Sequence, residues 1–304
     1  MRNRRPFPSL PARPSTAGPN TAGRSRPRDR ATAALAAAAL VTLAGCGAES
    51  AAPAADTRTP ASAPHFDYDA DSAHGPDHWG DTEGWERCAT GAQQSPIDVP
   101  AGKATPLADQ VTLDWTSGTL SALNNAHTVN LRPDGENLLT HAGRSYRLAQ
   151  MHLHADSEHE IDGTAAPLEA HFVHGLVDDQ GDFVMTKDAD TSQEVFADHL
   201  VIGVMLAEGA ENPAWGRVLD PGVLPATPGQ EYRLVSDAQF DPTTLLPAER
   251  DAFAYTGSLT TPTPTCVEGV RWFVLTTAVE VSEEQVAAFT ALYDNNSRPV
   301  QPRA

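Results

Sequence analysis

Two short stretches hold the residues best suited to chemistry: Gln150-Met151-His152-Leu153-His154 and Glu169-Ala170-His171. In a β-strand, side chains two positions apart leave the same face. His152 and His154 then project together, as do Glu169 and His171. Pairing of two such strands could converge three imidazoles on one point. Three neutral histidines with a fourth position left open are how a catalytic zinc site is built. Gln150 and Glu169 share the parity of the histidines beside them, which suits partners that hold the second ring nitrogen and fix the tautomer. A hydrogen-bonded strand pair without metal explains His152 and His154 equally well on their own; His171 and the two matched partners favour the metal. His174 is out of parity with His171 on a strand and should face the other way. In a helix the two would share a face, but Phe-Val-His-Gly-Leu-Val argues for strand. His159, in the charged stretch Ser157-Glu158-His159, reads as a surface residue, and Glu158 read locally is one more acid on an acidic protein.

Positioning these side chains requires a sheet, and strand-like segments dominate the chain. Residues 111–115, 126–131, 145–155, 168–177, 200–206, 232–235 and 270–279 are rich in β-branched or aromatic residues between turn signals. Arg132-Pro133-Asp134-Gly135 and Asp178-Asp179-Gln180-Gly181 read as turns. The clearest helix begins at Ser282, where Ser282 and Gln285 form a capping-box pattern ahead of Val286, Phe289 and Tyr293. No internal repeat is evident. The expected fold class is mostly antiparallel β with a few short helices (α+β), in one domain spanning 65–304.

The remaining N-terminal residues read as export and tether. Residues 1–46 hold eight arginines and one acid, Asp29. An apolar run, Ala31 to Ala44, is too short to span a bilayer, which needs about 20 residues, and fits a signal segment. Leu43-Ala44-Gly45-Cys46 resembles the lipobox of bacterial lipoproteins, in which the cysteine is lipidated; an ordinary cleaved signal is the alternative. Arg4-Arg5 hints at twin-arginine export but lies far from the apolar run. Residues 47–64 are small and polar, a flexible linker. Beyond residue 46 stand 13 basic and 39 acidic residues, a formal charge of −26. That surface excludes nucleic acid as a natural partner, and it meets an anionic membrane only through an anchor such as Cys46. With Cys46 lipidated, Cys88 and Cys266 remain as an even pair for an oxidising compartment. A bridge between them could contribute up to about 5 kcal/mol in the chain-entropy picture; two buried thiols are the alternative.

Taken together, the motifs resemble the α-class carbonic anhydrases from about His65 onward. The resemblance rests on Gly-Pro-Asp-His-Trp-Gly (75–80), Gln94-Ser95-Pro96-Ile97-Asp98, Asn124-Asn125-Ala126-His127, Gln150-x-His-x-His, Ser157-Glu158-His159, Glu169-x-His-x-Val-His, Gly257-Ser258-Leu259-Thr260-Thr261-Pro262, Gly269-Val270-Arg271-Trp272 and Arg298-Pro299-Val300-Gln301. It implies a large, mainly antiparallel twisted sheet and the reversible hydration of carbon dioxide by zinc-bound hydroxide. His152, His154 and His171 would bind Zn2+, with Gln150 and Glu169 receiving hydrogen bonds from His152 and His171. Thr260 would accept the nucleophile's proton and donate its own to Glu158. Thr261 and the Thr260 amide would hold substrate and bicarbonate, against an apolar wall of Val173, Val201, Leu259, Val270 and Trp272. His127 would shuttle protons, with Tyr68, Asn125 and Asn130 ordering water. Cys88 and Cys266 would pair, as the family's central cysteines do.

The chain departs from the family's pattern at several points. Ala155 and Gly175 stand where aromatic residues are usual, which would loosen the packing behind the metal strands. Ala126 replaces a glycine and Phe66 a tryptophan near His127. Segments 69–73 and 263–265 each look about two residues longer than in the family, and the second insertion could shift the bridge or the loop carrying Thr260. Two other readings remain open: a non-catalytic surface binding module of the same fold, and a cupin-type metal enzyme in which Glu158 binds metal directly.

Overall fold

The structure, a computed structural model, describes residues 65–303. The export segment, Cys46 and the 47–64 linker lie outside these residues. An eleven-stranded sheet forms the body of the domain. Its strands are β1 (Thr105–Pro106), β2 (Val111–Asp114), β3 (Gly118–Asn124), β4 (Val129–Asp134), β5 (Leu138–His141), β6 (Arg144–His154), β7 (Leu168–Leu176), β8 (His199–Glu208), β9 (Glu231–Phe240), β10 (Asp251–Ser258) and β11 (Glu268–Val281). They run in the order β9-β3-β4-β6-β7-β8-β11-β10-β1, with β5 also on β6 and β2 on β5. Within this sheet β8 and β11 pair in parallel; the other pairs are antiparallel.

The central strands are buried on both faces, so they read as near-continuous apolar runs. On β7, Leu168, Ala170 and Phe172 enter the main core with Leu200 and Ile202 of β8. Val173, of opposite parity, joins a second cluster with Val201, Val270 and Trp272. Fully burying a side chain such as Phe172 contributes about 2 kcal/mol, so the strand is held from the face away from the chemistry. That leaves positions 169, 171 and 173 free to serve the other face.

Most expected strands are present, with four additions to the large sheet and one correction. β1, β3, β5 and β10 were not marked by the sequence pattern. The stretch 132–135 is not simply a turn, because β4 continues through Pro133 to Asp134. Its pairing with β6 is confined to Leu131 and Met151. Pro133 thus lies where one flank carries no ladder, and its missing N–H costs nothing. The capping box forms as expected: Ser282 Oγ accepts from the Gln285 amide at 3.3 Å and Gln285 Oε1 from the Ser282 amide at 3.0 Å, opening the helix Glu283–Thr290. Tyr293 lies beyond that helix, with its hydroxyl donating to Asn124 Oδ1 at 2.6 Å. Cys88 and Cys266 are disulfide-bonded, and the 263–265 turn does not displace the bridge. The bridge packs in an aromatic cluster with Phe66, Tyr68, Trp79 and Trp85.

Candidate active site

Register brings the three histidines together. His152 on β6 lies directly opposite His171 on β7, and His154 opposite Glu169. The ring centroids of His152, His154 and His171 are 4.6 to 5.1 Å apart, and one nitrogen from each lies within 4.8 Å of the others. The second nitrogen of every ring is engaged. His152 Nδ1 donates to Gln150 Oε1 (2.9 Å), His154 Nδ1 to the Asn296 carbonyl (2.7 Å) and His171 Nε2 to Glu169 Oε1 (2.9 Å). His152 Nε2, His154 Nε2 and His171 Nδ1 remain as lone-pair donors. His154 Nε2 is buried and has no partner, a deficit that a metal ion answers. Three imidazole donors with their tautomers fixed from behind are a donor set that fits zinc.

The electrostatics follow from burial. Desolvation, then the two neighbouring histidines, hold the His152 pKa well below its ordinary value, and burial likewise lowers that of His154. At His171 burial is outweighed by Glu169, through charge and hydrogen bond, so its pKa is raised. Glu169 is held well below the usual carboxylate range, since His159 and His171 together overcome its desolvation.

His159 corrects the sequence reading. It is fully buried, donating from Nδ1 to Glu169 Oε1 at 2.8 Å, while its Nε2 meets the Tyr255 hydroxyl at 2.7 Å. Its amide binds the other Glu169 oxygen at 2.8 Å. His159, Glu169 and His171 also cluster closely, but their contacts are hydrogen bonds that position His171. Tyr255 continues the network to Ser95 Oγ at 2.8 Å. The motif Ser157-Glu158-His159 gave no local sign of this role: Glu169 lies ten residues on, and Tyr255 is 96 residues away. His174 behaves as expected, turning away from the cluster to bond the Leu200 carbonyl at 3.3 Å and stack on Trp115.

The histidines floor a cavity of about 330 Å³. Register across β7, β8 and β11 aligns Val173 with Val201 and Val201 with Trp272, and with Leu259 these form an apolar wall of the cavity. Val270 is buried against that wall without lining the cavity. The hairpin of Met185–Lys187 and Glu194–Phe196 adds Met185, Val195 and Phe196 to the lining, and His199 joins them. None of these four was anticipated from the sequence. Phe196 also corrects the expectation for Gly175: a Cβ there would come within 2.7 Å of the Phe196 ring, which fills the space of the missing side chain. Ala155 is clasped through its backbone, its amide donating to Asn296 Oδ1 at 2.8 Å and its carbonyl accepting from the Asn296 amide at 2.9 Å.

Tyr68, Asn125, His127, Asn130, Thr260 and Thr261 all line the cavity. His127 is half-buried and stacks on Phe66, centroids 3.9 Å apart and planes within 9°. Asn125 Oδ1 accepts from the amides of His127 (3.0 Å) and Thr128 (2.8 Å), so its carbonyl shapes the loop and only its amide nitrogen is left for solvent. Burial, then His65, lowers the His127 pKa. Glu158 is buried beside the histidines, Oε1 accepting from the Arg298 amide at 2.9 Å. Its Oε2 has no partner, so the Thr260–Glu158 hydrogen bond implied by the resemblance is not formed. Nor does Glu158 belong to the histidine triad, against the cupin reading. Arg298 was quoted in a motif without a role; its guanidinium ties together Gln94 Oε1 and the Ser95 and Cys88 carbonyls at 2.7 to 2.9 Å.

Comparison with known proteins agrees with this geometry. The family described as eukaryotic-type carbonic anhydrase matches residues 74–303. A carbonic anhydrase of Pectobacterium carotovorum is 34% identical over 244 residues, covering 78% of this chain and 87% of its own length. One from Nostoc sp. is 32% identical over 233 residues, covering 75% and 80%. The solved α-carbonic anhydrase of Thermovibrio ammonificans, in complex with the inhibitor sulfanilamide, superposes with a TM-score of 0.65 at 36% identity, covering 79% of this chain and 96% of that one. Dioscorin complexed with ascorbate shares the fold at 24% identity and a TM-score of 0.60.

Proposed function

This chain belongs to the eukaryotic-type carbonic anhydrases and catalyses the reversible hydration of carbon dioxide to bicarbonate and a proton, and we propose that it does so with zinc held by His152, His154 and His171. The observation that carries the metal reading is the orientation of the rings, each committed at its far nitrogen so that three lone pairs share one point. Bound there, zinc supplies a Lewis acid that lowers the pKa of water to about 7; this family is the standard example of that chemistry.

The protein's own residues account for the rest. Val173, Val201, Leu259 and Trp272 offer carbon dioxide an uncharged surface, suited to a small apolar molecule with little to gain from polar partners. Thr260 and Thr261 supply hydroxyls, and Thr260 an amide, at the edge of that surface for the polar product. Glu158 Oε2, buried without a partner beside the histidines, is the acceptor that a hydroxyl such as Thr260 would satisfy, orienting the nucleophile. His127 takes the released proton, its imidazole being able to bind and release it near neutral pH. Tyr68 and the amide nitrogens of Asn125 and Asn130 line the way to it.

Zinc content and stopped-flow carbon dioxide hydration, measured together on the mature domain and on His152→Ala, test this reading. The variant is expected to lose both. Wild-type protein that binds no zinc and hydrates no faster than buffer would instead be a binding module built on the same fold. We also propose export and lipid anchoring at Cys46; the Cys88–Cys266 bridge supports an oxidising compartment.

A further inference from the structure

On β7 the residues His171, Val173 and Gly175 share one parity, each about 7 Å along the strand from the last. His171 and Val173 line the cavity; at Gly175 that face carries no side chain. In the register of the sheet Gly175 lies between Arg147 of β6 and His199 of β8, so this row has side chains at either end and a gap between them. Phe196 fills the gap from outside the sheet. Its ring lies across Gly175, with three ring carbons 2.7 to 2.9 Å from where a Cβ would stand. The ring is also gripped from its sides. Its centroid is 4.8 Å from that of Phe183 and 5.3 Å from that of His199. The Arg147 guanidinium in turn covers Phe183, 4.2 Å from its centroid, and donates to the Gly181 carbonyl at 2.8 Å.

The hairpin that carries Phe196 has no ladder to the large sheet, since Met185–Lys187 and Glu194–Phe196 pair only with each other among the described strands. At its base the Val184 amide donates to the Leu176 carbonyl at 2.9 Å. At its tip Arg87 donates to Asp188 Oδ2 at 3.0 Å. What lies beyond the hairpin gives its seating a chemical meaning. Val195, Phe196 and His199 bound the active-site cavity on one side and a second hollow of about 440 Å³ on the other. That hollow is lined by charge, from Arg87, Lys187, Asp188, Asp198, Glu268 and Arg271. The partition itself is uncharged at neutral pH, because burial, opposed by Asp198, pushes the His199 imidazole down to about 4. An apolar surface attracts an apolar molecule only while water and charge are kept from it.

We propose that Phe196 is the positioning residue of the outer cavity wall: seated on Gly175, it holds the hairpin against the ligand-bearing sheet and keeps the carbon dioxide surface closed to the charged hollow behind it. This rests on Val173, Val201, Leu259 and Trp272 receiving carbon dioxide. The seat lies two rows out from His171, so losing the ring acts on substrate capture and leaves the metal ligands in place.

The test compares wild type, Phe196→Ala, Gly175→Phe and the double variant, matched for zinc content. Stopped-flow hydration at saturating buffer and hydrogen exchange of the hairpin amides are the two readouts. Phe196→Ala is expected to raise KM for carbon dioxide about fivefold with kcat unchanged, and to speed exchange at 185–187 and 194–196 about tenfold. Gly175→Phe alone collides with the resident ring and should do the same. In the double variant the ring returns from the strand side, and KM and exchange should recover to within about twofold of wild type. Phe196→Leu, which keeps most of the bulk, should fall between wild type and Phe196→Ala, and it decides the matter if the alanine variant does not fold. An unchanged KM in both Phe196 variants would overturn the role in the wall, and unchanged exchange would overturn the seat. A fall in kcat at constant KM would overturn the proposal by placing Phe196 on the proton exit. Losses that add in the double variant would show that the ring on Gly175 is not what holds the hairpin. Wild-type protein that hydrates no carbon dioxide would overturn the function reading instead, and the exchange pattern alone would then decide the seat.

Discussion

Ala126 holds a left-handed backbone, φ 77°, immediately before His127. A side chain carrying a Cβ resists that conformation by about 1–2 kcal/mol, and glycine, usual there in the family, does not. Asn124 and Asn125 hold the turn nonetheless, accepting from the amides of Ala126, His127 and Thr128 at 2.8 to 3.0 Å. Ala126→Gly should therefore stabilise the protein by about 1 kcal/mol, raising Tm by about 2–4 °C in thermal unfolding. The gain is partly offset by glycine's freedom in the unfolded chain. At this scale the clustering of His152, His154 and His171 with Gln150 and Glu169 behind them was legible, because strand parity alone links neighbours two apart. His159 was not, since nothing local distinguishes an exposed histidine from one buried between Glu169 and Tyr255.

β6 and β7 present the ligands, but β8 decides how closely Glu169 can support them. Gly203 lies opposite His171 in the register of β7 and β8, and a Cβ on it would come within 2.8 Å of Glu169 Oε1. Gly203→Ala should displace that carboxylate, disturb its bonds to His159 and His171, and weaken zinc binding by about 10–100-fold. Competition with a chromogenic chelator would measure the change; unaltered affinity would mean that the carboxylate shifts without consequence for His171. The ligand strands were readable from their apolar runs and matched parity. β1, β3, β5 and β10 escaped notice because they are settled by pairing across the sheet rather than by local pattern. The Gly175–Phe196 fit was unreadable for a similar reason: a glycine in sequence does not disclose which distant ring occupies its space.

Over the whole molecule, composition is what the proposed location rests on. A cationic start, a short apolar run and Leu43-Ala44-Gly45-Cys46 precede residues of formal charge −26. Such a surface has no electrostatic attraction to anionic lipid, so membrane retention would depend on the proposed anchor. Cys46→Ser should move activity from the membrane fraction to the soluble exported fraction, with kcat little changed because the active-site residues all lie beyond residue 64. Equal membrane retention would exclude lipidation at Cys46. The disulfide was legible from cysteine number and compartment, while the aromatic cluster around it required the fold. One further consequence follows from the contacts at His154 and Glu158. Synthesis proceeds from the N-terminus, so β6 and β7 emerge well before Asn296 and Arg298, whose backbone groups fasten these two side chains. Metal captured early on the emerging hairpin would be held by an unfinished cage. Its final geometry must await a segment made more than a hundred residues later, and that late arrival makes completion of the centre one of the last events in the chain's maturation.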